Sequence, residues 1–265
     1  MLTCSQFCIF SFNPVLKQLH LAGHPLIFLD EVDSTNNYAT RLLSTQKAEE
    51  GTVILTFRQS KGRGNGRNVW ESQDFKNLTF SLILYPRFLA ASSQFLLSQA
   101  ISLGIFDYLK SKTDGAVIKW PNDLLIRQKK IAGILIENSV MGSQLYSSVI
   151  GIGLNVNQSK FPAHLTAATS LFLETGKVSD PEDSCGQILK EIMKWYHLLE
   201  KGERDFIVQS YLSNLFGMGE KRIFLKEGQP FEGIITGIDP FGQLLLQTDS
   251  GKISAFPFKS VEMIF

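Results

Sequence analysis

Short apolar segments rich in β-branched residues fill the middle of the sequence, and helical segments lie between them at irregular intervals. The predicted strands are LIFL (26–29), TVILTF (52–57), LTFSLILY (78–85), AVIKW (116–120), DLLI (123–126), IAGILIEN (131–138) and SSVIGIGLNVN (147–157). We expect the first of these strands to be buried. Helices are predicted to follow Asp33 and to run from Ser92 or Ser93 through Leu109. Strict alternation of strands and helices would favour a parallel sheet, whereas this irregular order favours an α+β fold with a mixed sheet.

The pattern changes after residue 217, which indicates a second, smaller domain. Before this point, Asp180 and the proline that follows it predict the start of a long helix with acidic residues in its first turn. From Lys221 onward, short strands alternate with turns, which is typical of a small β-barrel or sheet. We therefore predict an N-terminal extension over 1–25, a large domain over 26–217 and a small β domain over 218–265.

The composition is that of an ordinary globular protein. The 265 residues include 26 Lys and Arg against 25 Asp and Glu, which gives a net charge of +1, and the mean hydropathy is +0.03. These values exclude a disordered acidic or basic tail. They also argue against a domain that holds DNA by bulk charge, because a nearly neutral protein exerts no long-range attraction on phosphates.

The cysteines and the N-terminal residues bear on the compartment. Cys4, Cys8 and Cys185 form an odd set without CxxC spacing, which favours a reducing environment over a disulfide framework. The start of the chain is apolar, but its first positive charge, Lys17, follows the apolar stretch instead of preceding it as in a signal peptide. No segment reaches the 18 or so uninterrupted apolar residues of a membrane-spanning helix. We expect a cytoplasmic protein.

The first candidate for chemistry is the glycine-rich segment RQSKGRGNGRNVW (58–70), which carries four basic side chains and no acid. Its glycines permit close approach of the backbone to a ligand, so the segment suits an anion. It lies between two predicted strands and does not open a helix, which excludes the dinucleotide fingerprint and the P-loop. A solvated basic hairpin is the alternative.

Two further segments combine polar groups and glycines near predicted strand ends. KWPND (119–123) places an aromatic ring, an amide and a carboxylate at one edge of the sheet, and Lys130 opens the next apolar strand. In a cleft, Lys130 would stabilise negative charge on a carboxylate or phosphate; the alternative is a lysine exposed at the hairpin. Gly151 and Gly153 weaken a strand interior, which indicates either close approach of a ligand or of another backbone, or a β-bulge.

The sequence shows neither a zinc motif nor a recognisable protein nucleophile. The four histidines are scattered and form no HExxH pair, and no GxSxG elbow is present. They are His20, His24, His164 and His197. The remaining candidates are glycines, Arg, Lys and backbone amides, which bind anions and stabilise charge during transfer at a phosphorus or acyl centre.

Taken in order, six segments resemble the biotin protein ligase family. They are VDSTNNYA (32–39), RQSKGRGNGRNVWES (58–72), KWPNDLL (119–125), KIAGILIE (130–137), VIGIGLNVN (149–157) and ATSL (168–171). The resemblance implies an α+β catalytic domain related to class II aminoacyl-tRNA synthetases and lipoate ligases, followed by a small SH3-like β-barrel. It also implies that biotin and ATP react to biotinyl-5′-AMP, with Mg²⁺ neutralising the ATP phosphates. A lysine of a biotin carboxyl carrier domain, such as that of acetyl-CoA carboxylase, then takes the biotinyl group.

The resemblance also assigns roles to individual residues. The biotin-binding set is Ser34, Thr35, Asn36, Gln59, Trp70 and Gly133. The set for ATP and the adenylate is Gly62, Arg63, Gly64, Asn65, Arg67, Asn122, Asp123, Lys130, Gly151, Gly153 and Asn155. Lys130 and Arg63 are the candidate catalytic residues, and Asp123 is the candidate ligand for Mg²⁺.

The sequence departs from the family pattern in its loop and at its N-terminus. Many members have a GRGR loop, whereas Asn65 stands here at the second arginine and Arg67 follows two places later. Either Arg67 replaces the missing guanidinium, or the loop holds the adenylate less tightly. The 33 residues before Ser34 are too few for the winged-helix domain of repressor-type members, so we expect no operator binding.

Two alternative functions and one open question accompany this prediction. A lipoate or octanoate ligase shares the fold and the adenylate chemistry, although the KWPND and GRGxG motifs favour biotin. A nucleic-acid-binding module would use the basic loop, Trp70 and the C-terminal barrel. Sheet edges could support a homodimer, and the sequence leaves this open.

Overall fold

The computed structural model describes residues 19–46, 48–66 and 68–264. Eight strands form a mixed sheet in the order β1-β2-β3-β4-β8-β7-β6-β5. They are β1 (Leu19–Leu21), β2 (His24–Leu29), β3 (Val53–Thr56), β4 (Leu78–Leu84), β5 (Ala116–Lys119), β6 (Asp123–Ile126), β7 (Lys129–Met141) and β8 (Gln144–Leu154). In the described part of the chain, β2 and β3 alone pair in parallel, so the sheet is mixed as predicted.

Helices cover both faces of this sheet. They are α1 (Thr35–Thr45), α2 (Phe95–Lys112), α3 (Leu171–Thr175), α4 (Pro181–Glu200) and α5 (Arg204–Ser213). Alternate residues of β3 point to opposite faces. Val53 and Leu55 join the large core under α2, α4 and α5, whereas Ile54 joins a smaller cluster under α1. The fold is therefore α+β with helices on both sides.

Local sequence signals explain the longest helix, α4. The Asp180 carboxylate accepts hydrogen bonds from the backbone N–H groups of Glu182 and Asp183 at 2.8 and 3.3 Å. Pro181 occupies the first turn, where its missing N–H needs no partner. α4 lies close to α2 at Gly104, where a Cβ atom would be 2.6 Å from Ile192 Cα. The predicted helix start is confirmed.

Two local predictions need correction. The first predicted strand is half-buried instead of buried: Phe28 is 41% exposed, because only the short strand Leu19–Leu21 lies beyond it at the sheet edge. The long helix begins at Phe95 with Gln94 as its N-cap. The serines predicted as caps lie instead in a 3₁₀ turn, Ala91–Ser93, in which the Ser93 N–H donates to the Ala90 carbonyl at 2.9 Å.

The C-terminal strands form a separate antiparallel sheet in the order β12-β11-β10-β9-β13. They are β9 (Lys221–Lys226), β10 (Gln229–Ile238), β11 (Leu244–Thr248), β12 (Ile253–Phe256) and β13 (Glu262–Met263). Within the described residues no ladder joins β12 to β13, so the SH3-like unit is an open sheet in its pairing. It contacts the large domain where the indole N–H of Trp120 donates to the Gly242 carbonyl at 2.8 Å and Phe258 packs on Trp120.

Some residues named in the predictions lie outside the part of the chain that the structure describes. Cys4, Cys8 and Arg67 lie outside the described residues. Cys185 is a free thiol whose pKa is raised by complete burial. None of the helices between residues 19 and 264 that the structure describes is long and apolar enough to span a membrane.

Candidate active site

A cavity of about 120 Å³ opens on the face of the sheet that carries the start of α1. Its walls come from segments far apart in the sequence: the start of α1, the glycine-rich loop, the β6 and β7 strands and the C-terminal end of β8. The backbone bridge between Val32 and Gln59 continues the parallel pairing of β2 with β3. This bridge brings the start of the loop beside the start of α1, so the first two motifs meet.

Glycines on β7 and β8 make room for side chains from the other walls. Gly133 and Gly153 are paired across the two strands. A Cβ on Gly153 would lie 2.3 Å from the Trp70 ring, and one on Gly151 would lie 2.3 Å from Asn36 Oδ1. The strand pairing shows no register shift at these glycines. Close approach of side chains, and not of another backbone, therefore explains the glycines of β8, and the β-bulge alternative is wrong there.

A buried hydrogen-bond network forms the inner end of the cavity. The Thr35 N–H donates to Gln59 Oε1 at 2.9 Å. The Ser81 hydroxyl lies 2.8 Å from Thr35 Oγ1 and 2.6 Å from Asn36 Oδ1. The Asn36 amide donates to Glu137 Oε2 at 2.9 Å. Donors and acceptors held in a buried network are suited to a small polar ligand group that needs both.

The glycine-rich segment forms a hairpin across the opening of the cavity. The Gly64 N–H donates to the Asn68 carbonyl at 2.8 Å, and the Trp70 N–H donates to the Gly62 carbonyl at 3.1 Å. These backbone hydrogen bonds hold the hairpin, and the Trp70 ring lies against Gly133 and Gly153 of the sheet. The indole Nε1 of Trp70 is buried without a hydrogen-bond partner among the described residues.

Arg63 points from the hairpin back to the sheet. Its guanidinium donates to both carboxylate oxygens of Glu137, at 2.7 and 3.1 Å, and to Asn37 Oδ1 at 2.8 Å. By contrast, Arg58 pairs with Glu31 and Asp74 outside the cavity. Arg63 thus enters the site while Arg58 lies at the surface, as the family resemblance implied when it gave a site role to Arg63 and none to Arg58.

Lys130 and Asp123 form an ion pair of 2.7 Å in the cavity wall. In a regular strand, residues 130 and 133 would face opposite sides of the sheet. A register shift in the β6–β7 pairing leaves Ile131 as an extra residue and turns Lys130 to the face of Gly133, where Nζ lies 5.7 Å from the Trp70 ring centre. Lys130 therefore belongs to the site and is not simply an exposed hairpin lysine.

Most of the predicted site residues line this one cavity. The lining includes Ser34, Thr35, Asn36, Gln59, Arg63, Gly64, Asn65, Trp70, Asn122, Asp123, Lys130, Gly133, Gly151 and Gly153. The lining does not include Gly62 and Asn155. Gly62 holds the hairpin through its carbonyl, and the Asn155 amide donates to the Thr169 carbonyl at 2.9 Å behind the wall. Their contacts with a nucleotide stay predictions.

Two residues of the network were missed. Ser81 lies within an apolar strand and has no sequence signal of its own. Glu137 could have been found by alternation, since Gly133, Leu135 and Glu137 share one face of β7. Asn122, although predicted to face the nucleotide, uses its amide N–H on the Ile134 carbonyl at 2.6 Å.

Comparison with known proteins decides the family. A model of the biotin/lipoate A/B protein ligase family matches residues 28–155, and one of the biotin protein ligase C terminal domain matches 221–259. The bifunctional ligase/repressor BirA of Bacillus subtilis is 35% identical over 242 residues, which cover 86% of this chain and 71% of that protein. The chain belongs to the biotin protein ligase family.

Another family member and a solved structure agree along nearly their whole length. The biotin–acetyl-CoA-carboxylase ligase of Paracoccus denitrificans is 30% identical over 233 residues, covering 84% of this chain and 95% of that protein. The structure of the Aquifex aeolicus biotin protein ligase in complex with biotin and ATP superposes with a TM-score of 0.76 at 29% identity. That superposition covers 90% of this chain and 98% of the Aquifex chain. The expected biotin protein ligase fold is confirmed.

Proposed function

We propose that this biotin protein ligase uses ATP to attach biotin, through biotinyl-5′-AMP, to a lysine of a biotin carboxyl carrier domain such as that of acetyl-CoA carboxylase. It is then a ligase that forms a carbon–nitrogen bond. One observation carries the proposal: a single cavity brings a buried polar network together with the cations Arg63 and Lys130. The Aquifex relative was solved with biotin and ATP, the two substrates required here.

The polar end suits the ureido head of biotin, which offers two N–H donors and a carbonyl acceptor. We assign Ser34, Thr35, Asn36 and Gln59 to this head, because all four line the cavity and the first three are almost fully buried. Trp70 supplies an apolar wall for the ring and chain of biotin. Gly133 and Gly153 leave space beside the indole, so the apolar part of biotin can lie along β7 and β8.

In the first step, a carboxylate oxygen of biotin attacks the α-phosphorus of ATP and pyrophosphate leaves. Negative charge is shared by the carboxylate and the phosphate oxygens, so positioned cations lower the barrier. We assign this role to Arg63 and Lys130, with the loop residues Gly62, Gly64 and Asn65 closing over the adenylate. Gly151, Gly153 and Asn155 are assigned to its adenine side. The protein itself supplies no covalent nucleophile in this scheme.

In the second step, the amine of the carrier lysine attacks the acyl carbonyl and AMP leaves. The carbonyl oxygen gains negative charge as the C–N bond forms, and a lysine ammonium beside it stabilises that charge. Lys130 is held for this task by Asp123 at 2.7 Å and by the backbone bonds that its N–H and carbonyl make with the segment around Ala168.

The Mg²⁺ that accompanies ATP is compatible with these residues. In the described part of the chain no group of three or more His, Cys, Asp or Glu side chains could form a protein cage for a metal. Mg²⁺ in nucleotide sites is bound mainly by substrate phosphates and water, with one or two carboxylates from the protein. Asp123 would hold it, and bound Mg²⁺ would neutralise phosphate charge. Asn122 lies beside this carboxylate in the cavity wall.

The remaining assignments complete the proposal. We place the catalytic domain at 26–217 and the small β domain at 218–265, and we place the enzyme in the cytoplasm. The extension predicted over 1–25 overlaps the large sheet, since Leu19–Leu21 pairs with the strand that begins at His24. We propose that the protein does not bind operator DNA, because a net charge of +1 gives no long-range attraction to phosphates. Pairing of the edge strands β1 or β5 with a second copy would make a homodimer, which light scattering on the purified protein measures.

The proposal is tested by labelling a carrier domain. Purified protein is incubated with biotin, MgATP and a biotin carboxyl carrier domain, and biotin on the carrier is detected by streptavidin blot. We expect labelling that requires ATP and falls strongly in Lys130→Ala but not in Lys221→Ala, whose lysine pairs with Glu232 on the C-terminal sheet. Transfer of lipoate or octanoate instead of biotin would favour a lipoate-type ligase. A salt-sensitive complex with single-stranded oligonucleotides and no acyl transfer would favour the nucleic-acid-binding alternative.

A further inference from the structure

Glu137 does not line the cavity itself, but its carboxylate contacts two residues that do, Arg63 and Asn36. Its Oε1 accepts from Arg63 at 2.7 Å, and its Oε2 accepts from Arg63 at 3.1 Å and from Asn36 at 2.9 Å. Arg63 belongs to the loop assigned to the adenylate, and Asn36 belongs to the buried network assigned to biotin. One carboxylate on β7 therefore contacts a residue of each set.

We propose that Glu137 is a positioning residue that sets the orientation of Arg63 for adenylate formation while it holds Asn36 in the biotin site. The inference rests on the proposed function and adds a residue to its machinery. Glu137 acts through Arg63 and Asn36 and is not itself assigned a contact with substrate.

The geometry supports a fixed orientation of Arg63. A bidentate pair between a guanidinium and a carboxylate constrains both the distance and the plane of the guanidinium. Arg63 also donates to Asn37 Oδ1 at 2.8 Å, so partners from β7 and from α1 hold it from two sides. Without these partners, an arginine on a glycine-rich hairpin would sample many rotamers. Fixing one rotamer in the transition state would then cost conformational entropy and weaken charge stabilisation.

The pair is also only partly shielded from water. The Arg63 side chain is 40% exposed and that of Glu137 is 33% exposed. A guanidinium has five N–H donors, and Arg63 uses three of them on Glu137 and Asn37. The other donors can meet a phosphate oxygen, since the side chain is partly exposed. Glu137 can thus keep its hold on Arg63 while a phosphate binds.

The Glu137→Gln variant keeps the contact with Asn36 and removes the bidentate hold on Arg63. The glutamine oxygen can stay at the position of Oε2 and still accept from Asn36, whereas the NH₂ group at the position of Oε1 cannot accept the 2.7 Å hydrogen bond from Arg63. We expect the dissociation constant for biotin alone, measured by calorimetry, to change by less than about twofold. We expect the rate of biotin-dependent pyrophosphate exchange into ATP to fall about tenfold, in the range of one charge-assisted hydrogen bond.

Two further variants test the route of the effect. Glu191→Gln is the matched control, because Glu191 forms an ion pair with Lys194 on α4 and its side chain is 31% exposed. It should keep the wild-type exchange rate. In an Arg63→Ala background, Glu137→Gln should cause no additional loss of rate, because the residue it orients is gone. Glu137→Asp retains the charge on a shorter stem and should lose rate to an intermediate extent.

Three results would overturn the inference. One is a wild-type exchange rate in folded Glu137→Gln. Another is an equal loss of rate on adding Glu137→Gln to wild type and to Arg63→Ala, which would show that Glu137 does not act through Arg63. The third is a parallel fall of biotin affinity, exchange rate and thermal midpoint in both Glu137→Gln and Glu137→Asp, which would show a purely structural role. If wild type makes no adenylate, the proposed function is wrong and the inference falls with it.

Discussion

Replacing Gly153 with alanine tests whether the Trp70 indole must lie on β8 for biotin to bind. A Cβ on Gly153 would lie 2.3 Å from Trp70 Cε2, whereas ordinary van der Waals contact begins at about 3.4 Å. The ring must therefore shift by about 1 Å. Inserting a methyl group into a close-packed contact costs roughly 1–3 kcal/mol. Because Trp70 lines the cavity, a shift of the indole away from β8 narrows the cavity, and we expect this free energy to oppose biotin binding and to raise its dissociation constant about 5- to 150-fold.

Calorimetry with biotin measures this effect, and a second glycine provides the control. Gly233→Ala also adds a methyl group within a strand, but its Cβ would meet Phe224 and Leu246 at ordinary distances of 3.5 and 3.6 Å. It should leave biotin affinity unchanged. Wild-type biotin affinity in Gly153→Ala would refute the reasoning. A large fall in thermal midpoint with retained affinity would show instead that Gly153 serves folding.

Three further perturbations test the loop and the start of α1. Asn65→Arg restores the GRGR pattern, and we expect slower release of free biotinyl-5′-AMP into a filtrate; equal release by both proteins contradicts the looser-loop hypothesis. Lys259→Ala removes the 3.2 Å hydrogen bond from the Lys259 ammonium to the Asn65 carbonyl. Adenylate release should then rise a few fold, about the effect of one hydrogen bond, and unchanged release means that the C-terminal sheet does not hold the loop. Arg41 and Asn37 hold the pKa of Asp33 below its usual value, so ionised Asp33 stabilises the fold above its unfolded-state pKa. The stability difference between wild type and Asp33→Asn should shrink as pH falls below about 4, and a difference independent of pH in thermal unfolding contradicts this.

Local signals in the sequence predicted most elements of the fold. The Asp180 cap and Pro181 predicted the start of α4, and runs of β-branched residues predicted β3 and β4 within one residue at each end. These signals succeed because capping and β-propensity act between neighbours in the chain. The same reasoning placed Phe28 in a buried strand and missed β1 and α3, because exposure at a sheet edge and very short elements depend on what packs against them.

The site was predicted in its residue types but not in its pairs. Arg63 and Glu137 are 74 positions apart, and nothing local indicates that the first arginine of the glycine-rich hairpin faces β7 while Arg58 faces the surface. Alternation alone would also put Lys130 on the opposite face from Gly133. The register shift at Ile131 puts Lys130 on the same face as Gly133. The shift depends on how β6 pairs with β7, and no glycine or other turn residue in the sequence marks it.

Strand order explains why motifs distant in the sequence form one cavity. The last strand of the sheet to be synthesised, β8, lies between β4 and β7. This insertion places Gly153 opposite Gly133 on one side and opposite Thr79 on the other. The glycines of two motifs thus become neighbours, and Trp70 from a third motif occupies the space they leave. Each motif is weak alone because its residues gain a function only through partners that long-range pairing supplies.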